Sequence, residues 1–156
     1  MFANLIFAAI RIRARRGLVA PLAGELPKER ARRTGIRGET YAYWYLRRQG
    51  YTMIARNFRV PYLKGEIDLV GYDGSILAFI EVKTRDSSAE ESRRPEDAVD
   101  WRKRKHLVRM AGAFMRAYRI DRGAASTRFD IVAIEARPAS SPVVRLLKGA
   151  FVPRRR

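Results

Sequence analysis

The sequence predicts an α/β domain in which a β-sheet is flanked by helices. A helical pattern comes first, three runs rich in β-forming residues follow it, and an Asp-Gly pair joins two of those runs. A second helical pattern then precedes at least one further strand. Because apolar residues recur every three or four positions in helices and alternate in strands, the predicted order of elements is α-β-β-β-α-β.

The first 37 residues are predicted to be a basic extension of this domain. They contain a short apolar start, an arginine-rich run and two prolines, with nine basic and only two acidic residues. We expect a flexible arm, and two interpretations stay open: an arm for nucleic acid or a membrane surface, or a poorly ordered tail. The domain itself is predicted to span residues 38–151, followed by a basic tail at 152–156.

The elements of the domain follow from local patterns. The first helix is predicted at 39–49, where Ala42 and Leu46 share a stripe and Gly50 supplies a C-terminal stop. Strands are predicted at 51–60, 66–72 and 75–83. After a polar loop at 84–94, Pro95 is expected to begin a second helix that runs to about residue 119. The remaining strands are predicted at 129–135 and, less distinctly, at 143–147.

The Asp-Gly pair predicts a two-residue hairpin turn between the second and third strands. Tyr72 then pairs with Ser75, and counting back along both strands places Asp68 opposite Phe79. A slip of two residues would leave every side chain on its predicted face, whereas a slip of one would exchange the two faces.

This register projects four charged side chains from one face of the hairpin, namely Glu66, Asp68, Glu81 and Lys83. The core side chains predicted on the other face are Ile67, Leu69, Ile80 and Val82. Asp68 and Glu81 become diagonal neighbours with Cβ atoms roughly 7 Å apart. Both carboxylates could therefore reach one ion.

Three acids and a lysine on one face predict a metal site. Neighbouring carboxylates repel each other, and a divalent cation removes that repulsion. Oxygen ligands favour Mg²⁺ or Mn²⁺ over zinc, and a chain with no cysteine and one histidine has no thiolate or polyhistidine site. Lys83 would stabilise an attacking hydroxide, which predicts phosphodiester hydrolysis. The alternative is that Glu-x-Lys forms an ordinary surface ion pair on a strand.

The formal net charge of +17 predicts a polyanionic partner. We expect nucleic acid as the partner, DNA rather than RNA. A ribosomal surface or anionic lipid would be attracted by the same positive charge. The apolar run at residues 2–10 is about half the roughly 20 residues that a membrane-spanning helix needs. Its arginines follow the apolar run, whereas those of a signal peptide precede it. The sequence therefore predicts a cytoplasmic protein without a membrane span.

Several stretches in order resemble a known family. Asp68, followed after twelve residues by Glu81-Val82-Lys83, resembles the PD-(D/E)XK nuclease signature, with Ile67 in place of its proline. The chain resembles more closely the YraN family of bacterial proteins, which is similar to Holliday-junction resolvases in predicted fold. The matching stretches are Gly35-x-x-Gly38-Glu39-x-x-Ala42, Gly50-Tyr51, Arg56-Asn57-Phe58, Gly65-Glu66-Ile67-Asp68-Leu69, Phe79-Ile80-Glu81-Val82-Lys83-Thr84-Arg85, Val99-Asp100 with Lys103, Phe129-Asp130 and Ala150-Phe151.

The resemblance implies a restriction-endonuclease-like core with a mixed sheet flanked by helices. It also implies that Glu39, on the first helix, points into the site as an additional acid. The implied catalytic set is Asp68, Glu81, Glu39 and Lys83, of which the three acids would bind the metal. Lys103 and Arg85 are expected to contact nucleic acid, the alternative for Lys103 being a solvated helix face. The N-terminal extension departs from the family pattern.

The expected function is therefore a Mg²⁺- or Mn²⁺-dependent endonuclease that cuts DNA, with branched or structured DNA suggested by the resemblance. A non-catalytic nucleic-acid-binding protein on the same fold is the first alternative. A membrane- or ribosome-associated protein that works through its basic extension is the second. Cutting two strands in the manner of a resolvase would require a homodimer.

Overall fold

The computed structural model describes residues 2–15, 17–86, 100–136 and 139–153. Within these residues the chain forms three helices and five strands. They are α1 (Phe2–Arg15), α2 (Pro27–Arg48), β1 (Thr52–Val60), β2 (Leu63–Asp73), β3 (Ile76–Asp86), α3 (Trp101–Ala117), β4 (Thr127–Ala136) and β5 (Val143–Phe151). No helix in the described part of the chain is long and apolar enough to cross a membrane.

The five strands form one mixed sheet in the order β1-β2-β3-β4-β5. The pairs β1·β2, β2·β3 and β4·β5 are antiparallel, whereas β3 and β4 are parallel. A parallel pair needs a crossover connection, and α3 lies in the connection between β3 and β4. The predicted fold class, an α/β domain whose mixed sheet is flanked by helices, is confirmed.

Each face of the sheet carries its own hydrophobic core. Helices α1 and α2 cover one face, where Leu69 and Ile80 are fully buried. Helix α3 covers the other face, where Val70 and Phe79 are buried beside Phe114. Neighbouring residues of β2 and β3 therefore point to opposite helical layers, as strand alternation requires.

Ile67 departs from the predicted alternation. It packs in the α3 core, whereas Leu69, two residues later, packs on the α2 side. On β1 the partners of Leu69 and Ile67 are Arg56 and Phe58, and Asn57, which lies between them, has φ +50°. A residue in the left-handed conformation interrupts the regular pleat of a strand, and this interruption coincides with the position where simple alternation failed.

The β2–β3 hairpin turns one residue later than predicted. Asp73 pairs with Ile76, so the turn residues are Gly74 and Ser75 rather than Asp73 and Gly74. Gly74 has φ +61°, the conformation that a two-residue hairpin turn demands at its first position and that glycine adopts without strain. The predicted register was therefore wrong by two residues, but a two-residue slip leaves the face of every side chain unchanged.

Several element boundaries also differ from the predicted ones. Helix α2 begins at Pro27, so the predicted start of the domain at residue 38 lies inside this helix. Strand β3 extends to Asp86 through part of the predicted polar loop. Helix α3 begins at Trp101, after Asp100 as its N-cap. The predicted start at Pro95 and the rest of the polar loop lie outside the described residues.

Arginines of α2 bind the segment that joins α1 to α2. Arg30, Arg33 and Arg37 donate hydrogen bonds to the carbonyl oxygens of Val19, Ala20 and Gly17 at 2.9, 2.7 and 2.9 Å. In α1, Phe7 is buried and its ring meets that of Tyr41 edge-on at 5.1 Å. Part of the basic charge of residues 1–37 is therefore used within the fold, where it fixes α1 and its connection against α2.

Two glycines of α2 provide a matched test of how tightly this helix packs on β3. A Cβ added at Gly38 would lie 1.8 Å from Thr84 Oγ1, whereas one added at Gly35 would meet nothing within 4 Å. We expect Gly38→Ala to destabilise the protein by about 1–3 kcal/mol through overpacking. Gly35→Ala should stabilise it by roughly 0.5–1 kcal/mol through helix propensity. Urea unfolding of both variants checks this, and equal stabilities would contradict the close packing of α2 on β3.

Candidate active site

Asp68, Glu81 and Lys83, predicted on one face of the hairpin, lie close together where the pairing between β2 and β3 ends. Paired residues of these strands run from Asp73 and Ile76 to Leu69 and Ile80. One residue beyond that pair, Asp68 Oδ2 accepts a hydrogen bond from the backbone N–H of Val82 at 2.7 Å. The Asp68 side chain thus accepts a hydrogen bond from a backbone N–H group of β3 just beyond the last paired residues of β2 and β3.

Asp68 is an unusual carboxyl group, with only 8% of its surface exposed. Burial, which disfavours the charged form, is the main cause that raises its pKa to about 7, and the nearby charge of Glu81 is the second. The Val82 hydrogen bond and the Lys103 ammonium oppose this rise. Asp68 therefore keeps its proton to a higher pH in the folded protein than in the unfolded chain.

Glu81 is more deeply buried, with 2% of its surface exposed, and two lysines contact one of its oxygens. Lys83 Nζ lies 2.8 Å from Glu81 Oε1, and Lys103 Nζ lies 3.1 Å from the same atom. The other oxygen, Oε2, is buried and has no hydrogen-bond partner among the described residues. A buried carboxylate oxygen without a partner is costly unless a further ligand satisfies it.

The two lysines reach Glu81 from different elements. Lys83 follows Glu81 by two residues on β3, so both side chains project from the same face of the sheet. Lys103 comes from the first turn of α3, where Asp100 Oδ1 accepts a hydrogen bond from the Lys103 backbone N–H at 2.8 Å. This N-cap fixes the start of the helix and with it the position of Lys103.

Glu39 approaches the acid pair from α2. Its negative charge contributes to the raised pKa of Asp68, and Glu81 in turn contributes to that of Glu39, which places the three carboxyl groups near one another. Burial is the main cause of the raised pKa of Glu39, and a hydrogen bond with Asn57 opposes it. Asn57 lies on β1 with φ +50°, a left-handed conformation that asparagine adopts more readily than most residues.

The donor set suits a hard divalent cation. Among the described residues, no three His, Cys, Asp or Glu side chains are grouped closely enough to hold a metal by themselves. Mg²⁺ does not need three, since it usually takes one or two carboxylates and fills its other positions with water and phosphate. The unpartnered Glu81 Oε2 and the raised pKa of Asp68 both indicate negative charge that a cation would compensate.

An open groove of about 740 Å³ lies between α2 and the end of β3 and reaches two residues of the site, Glu39 and Lys83. Gly35 and Glu39 of α2 line one side, and Val82, Lys83 and Thr84 of β3 line the other. The absence of a side chain at Gly38 lets the helix approach β3 at this point. The groove gives a ligand access to Glu39 and Lys83 from solvent.

The structure brings together five of the predicted site residues: Asp68, Glu81, Lys83, Glu39 and Lys103. Glu66, predicted on the same face, accepts a hydrogen bond from Arg59 Nε at 2.7 Å, and its negative charge also contributes to the raised pKa of Glu39. Arg85 lies two residues beyond Lys83 on β3 and pairs in the parallel ladder with Glu135.

Sequence reasoning missed two contributors to the site. Asn57 belongs to a motif that was noticed without being given a role, and it binds Glu39. His106 of α3 lies so close to Gly65 that a Cβ there would be 2.6 Å from its Nε2. Burial and the charges of Lys103 and Arg109 lower the pKa of His106, which favours the neutral form of its ring. The signal that could have pointed to His106 is its spacing of three residues from Lys103 on one helix.

A mixed five-stranded sheet between helices, with acids and lysines where two central strands part, has the architecture of a restriction-endonuclease-like core. The family described as "Uncharacterised protein family UPF0102" matches residues 38–134. A UPF0102 protein of Koribacter versatilis is 46% identical over 77% of this chain and 80% of its own length. A UPF0102 protein of Solibacter usitatus is 46% identical over 73% of this chain and 82% of its own length. One of Symbiobacterium thermophilum is 38% identical over 78% of this chain and 98% of its own length.

The chain therefore belongs to the UPF0102 family, the YraN family that its motifs resemble. The matched region contains Asp68, Glu81, Lys83, Lys103 and Glu39, whereas α1 lies outside it.

The raised pKa of Asp68 predicts a stability that depends on pH. Between about pH 4 and pH 7 the folded protein keeps a proton that the unfolded chain releases, so this group's contribution to stability falls as the pH rises through that window. Asp68→Asn removes the effect and keeps an acceptor for the Val82 N–H. Without metal, we expect the variant to exceed the wild type in unfolding free energy by about 2 kcal/mol at pH 8 and by little at pH 4.5.

Urea unfolding at the two pH values measures this difference. Asp121→Asn is the matched control, because Asp121 is exposed in the turn after α3 and should give the same small change at both pH values. An Asp68→Asn variant that is less stable than the wild type at pH 8 would refute the burial of an uncompensated acid.

Proposed function

We propose that this protein is a metal-dependent endonuclease that hydrolyses phosphodiester bonds in DNA. One observation carries the proposal: two buried carboxyl groups, Asp68 and Glu81, lie close together beside two lysines. One of these lysines, Lys83, also lines an accessible groove. Buried acids are rare in proteins unless they are paired or bind a cation, and perturbed pKa values concentrate at functional sites.

Asp68 and Glu81 would hold Mg²⁺ or Mn²⁺, and Glu39 would add a third negative charge beside them. The chemistry supplied by such an ion is Lewis-acid activation, which makes water a competent nucleophile near neutral pH and offsets charge on the phosphate. The protein's part is to fix the two acids: the Val82 N–H orients Asp68, and the lysines orient Glu81.

Lys83 has the position expected of the residue that stabilises the transition state. Water attacks phosphorus and releases a proton to solvent, while the bond to one ester oxygen breaks and that oxygen takes up a proton from solvent. Negative charge grows on the phosphoryl oxygens during this step, and an ammonium group held by a buried carboxylate is preorganised to stabilise it. Lys103, fixed by the N-cap of α3, is suited to bind the phosphate that is cut.

The partner we propose is DNA, since a net charge of +17 attracts a polyanion and the groove is lined by Lys83 and Glu39 of the site. A preference for branched or structured DNA is supported only by the family resemblance to junction resolvases. Cleavage of both strands at such a junction would require two copies of the chain.

A non-catalytic nucleic-acid-binding protein is the second candidate. The observation that favours it is that Lys83 and Lys103 already compensate Glu81 Oε1 without any metal. A site in which lysines replaced the cation would bind phosphates and leave them intact. Cleavage and metal binding, measured separately, distinguish the two candidates.

Cleavage is tested on labelled duplex, single-stranded and four-way-junction DNA with Mg²⁺ or Mn²⁺. We expect the wild type to cut at least one of these substrates only when metal is present. Asp68→Ala and Lys83→Ala should each lower the rate about a hundredfold or more, because each removes a group that acts in the transition state.

Two variants serve as matched controls for this assay. Asp121→Ala and Lys105→Ala remove an exposed acid and an exposed lysine outside the site, and both should cut at the wild-type rate. Cleavage that survives in Asp68→Ala and Lys83→Ala would show a different site or a contaminant. Tight binding without cleavage in any metal would favour the second candidate.

Metal binding is tested by thermal unfolding near pH 8. Mg²⁺ at about a hundredfold excess over its dissociation constant should stabilise the wild type by about 2.7 kcal/mol, which corresponds to several degrees in the unfolding midpoint. Asp68→Asn should show little of this shift, whereas Asp121→Asn should retain it. A shift that is equal in Asp68→Asn and the wild type would remove Asp68 from the metal site.

A further inference from the structure

Helix α1 has two apolar faces, and the fold covers only one of them. The inner face packs on α2 through Phe7 and Ala14, both buried. The outer face consists of Phe2, Leu5, Ala9 and Ile12, whose spacing of three, four and three residues aligns them along one stripe. Phe2, Leu5 and Ile12 are 71%, 65% and 56% exposed, and Ala9 is exposed as well. This outer stripe is a continuous apolar surface about 15–20 Å long.

The outer stripe is bordered by positive charge. On a helical wheel Arg13 lies at one edge of the stripe and Arg15 near the other, and α1 contains no Asp or Glu. An apolar stripe between arginines is the pattern of helices that lie in the plane of a membrane surface, with the apolar side chains among the acyl chains and the cations at the headgroups.

The fold holds α1 in a fixed orientation, so its outer stripe faces away from the domain. Arg15 Nε donates a hydrogen bond to Ser141 Oγ, in the connection between β4 and β5, at 2.7 Å. Arg48 of α2 places its guanidinium 5.5 Å from the centre of the Phe7 ring. A surface helix anchored in this way can insert its outer side chains without first unfolding from the domain.

We propose that the outer stripe of α1 binds the surface of an anionic lipid bilayer. The phosphates of a nucleic acid would attract the arginines, but a nucleic acid would not bury the apolar side chains between them. A second copy of the chain, packed stripe against stripe, would bring two sets of arginines together without an acid on either helix. Anionic lipid is the partner that satisfies both the charge and the apolar surface.

This interaction surface is independent of the proposed nuclease site. The stripe belongs to α1, which lies outside the family match at residues 38–134, and shares no residue with the acid–lysine cluster. The chain would then carry its phosphodiester site on a domain held at a membrane surface, and either property can fail without the other.

Flotation of the full-length protein with lipid vesicles tests the proposal. We expect the wild type to float with vesicles of phosphatidylcholine and phosphatidylglycerol, to float poorly with phosphatidylcholine alone, and to dissociate as salt is raised. Leu5→Ala combined with Ile12→Ala should lower the bound-to-free ratio about tenfold or more, because it removes apolar atoms from the interface. The matched control is Val152→Ala, which shortens an exposed aliphatic side chain outside α1 and should bind like the wild type.

The double variant is first checked by circular dichroism and thermal unfolding, which should match the wild type because both side chains are exposed. Absence of flotation by the wild type would overturn the proposal. Flotation of the double variant to the same extent as the wild type would also overturn it, because the apolar side chains would then contribute nothing to vesicle binding. Sedimentation that reveals a dimer lost in the double variant, without vesicle binding, would assign the stripe to a second copy instead.

Discussion

Two carboxyl groups cannot be buried side by side without a proton or a positive charge to compensate them, and this constraint governs the centre of the molecule. Lys83 and Lys103 compensate one oxygen of Glu81, and a raised pKa lets Asp68 take up a proton. The surrounding fold supplies the groups that position and compensate these two carboxyl groups. The separation of β2 from β3 frees the Val82 N–H for Asp68, and the N-cap of α3 fixes Lys103.

The part of the site that the sequence predicts is the part that depends on strand alternation. Asp68, Glu81 and Lys83 were expected on one face, and they converge although the hairpin register was wrong by two residues. The prediction survived because side chains alternate with a period of two, so an even slip changes neighbours and preserves faces. The error itself has a local cause, since Gly74 takes the first position of the turn, where a positive φ is required. The α/β class is robust for a similar reason, because it depends on the periodicity of each segment and not on its ends.

What the sequence could not predict are contacts between elements distant along the chain. Nothing in the spacing of residues indicates that Asn57 of β1 binds Glu39 of α2, and the inclusion of Glu39 came from the family resemblance alone. Arg33 counts as free positive charge in a composition, yet in the fold it binds Glu25 and a backbone carbonyl. Long side chains that fold back on their own chain are invisible to patterns of hydrophobicity and charge, so the N-terminal segment was the least predictable part.

Asp68 and Glu81 differ in how their negative charge is compensated, and this difference affects how a cation would bind at the site. Glu81 already has two ammonium groups beside it, so most of the uncompensated negative charge belongs to Asp68. A divalent ion at the proposed site would then have to displace the proton of Asp68, and its affinity would rise with pH through the pKa of about 7. The lysines limit the negative charge that a cation would have to neutralise, and the proton on Asp68 would set the pH range in which a metal binds. Burial of one aspartate thus couples the stability of the fold to the occupancy of the site that we propose.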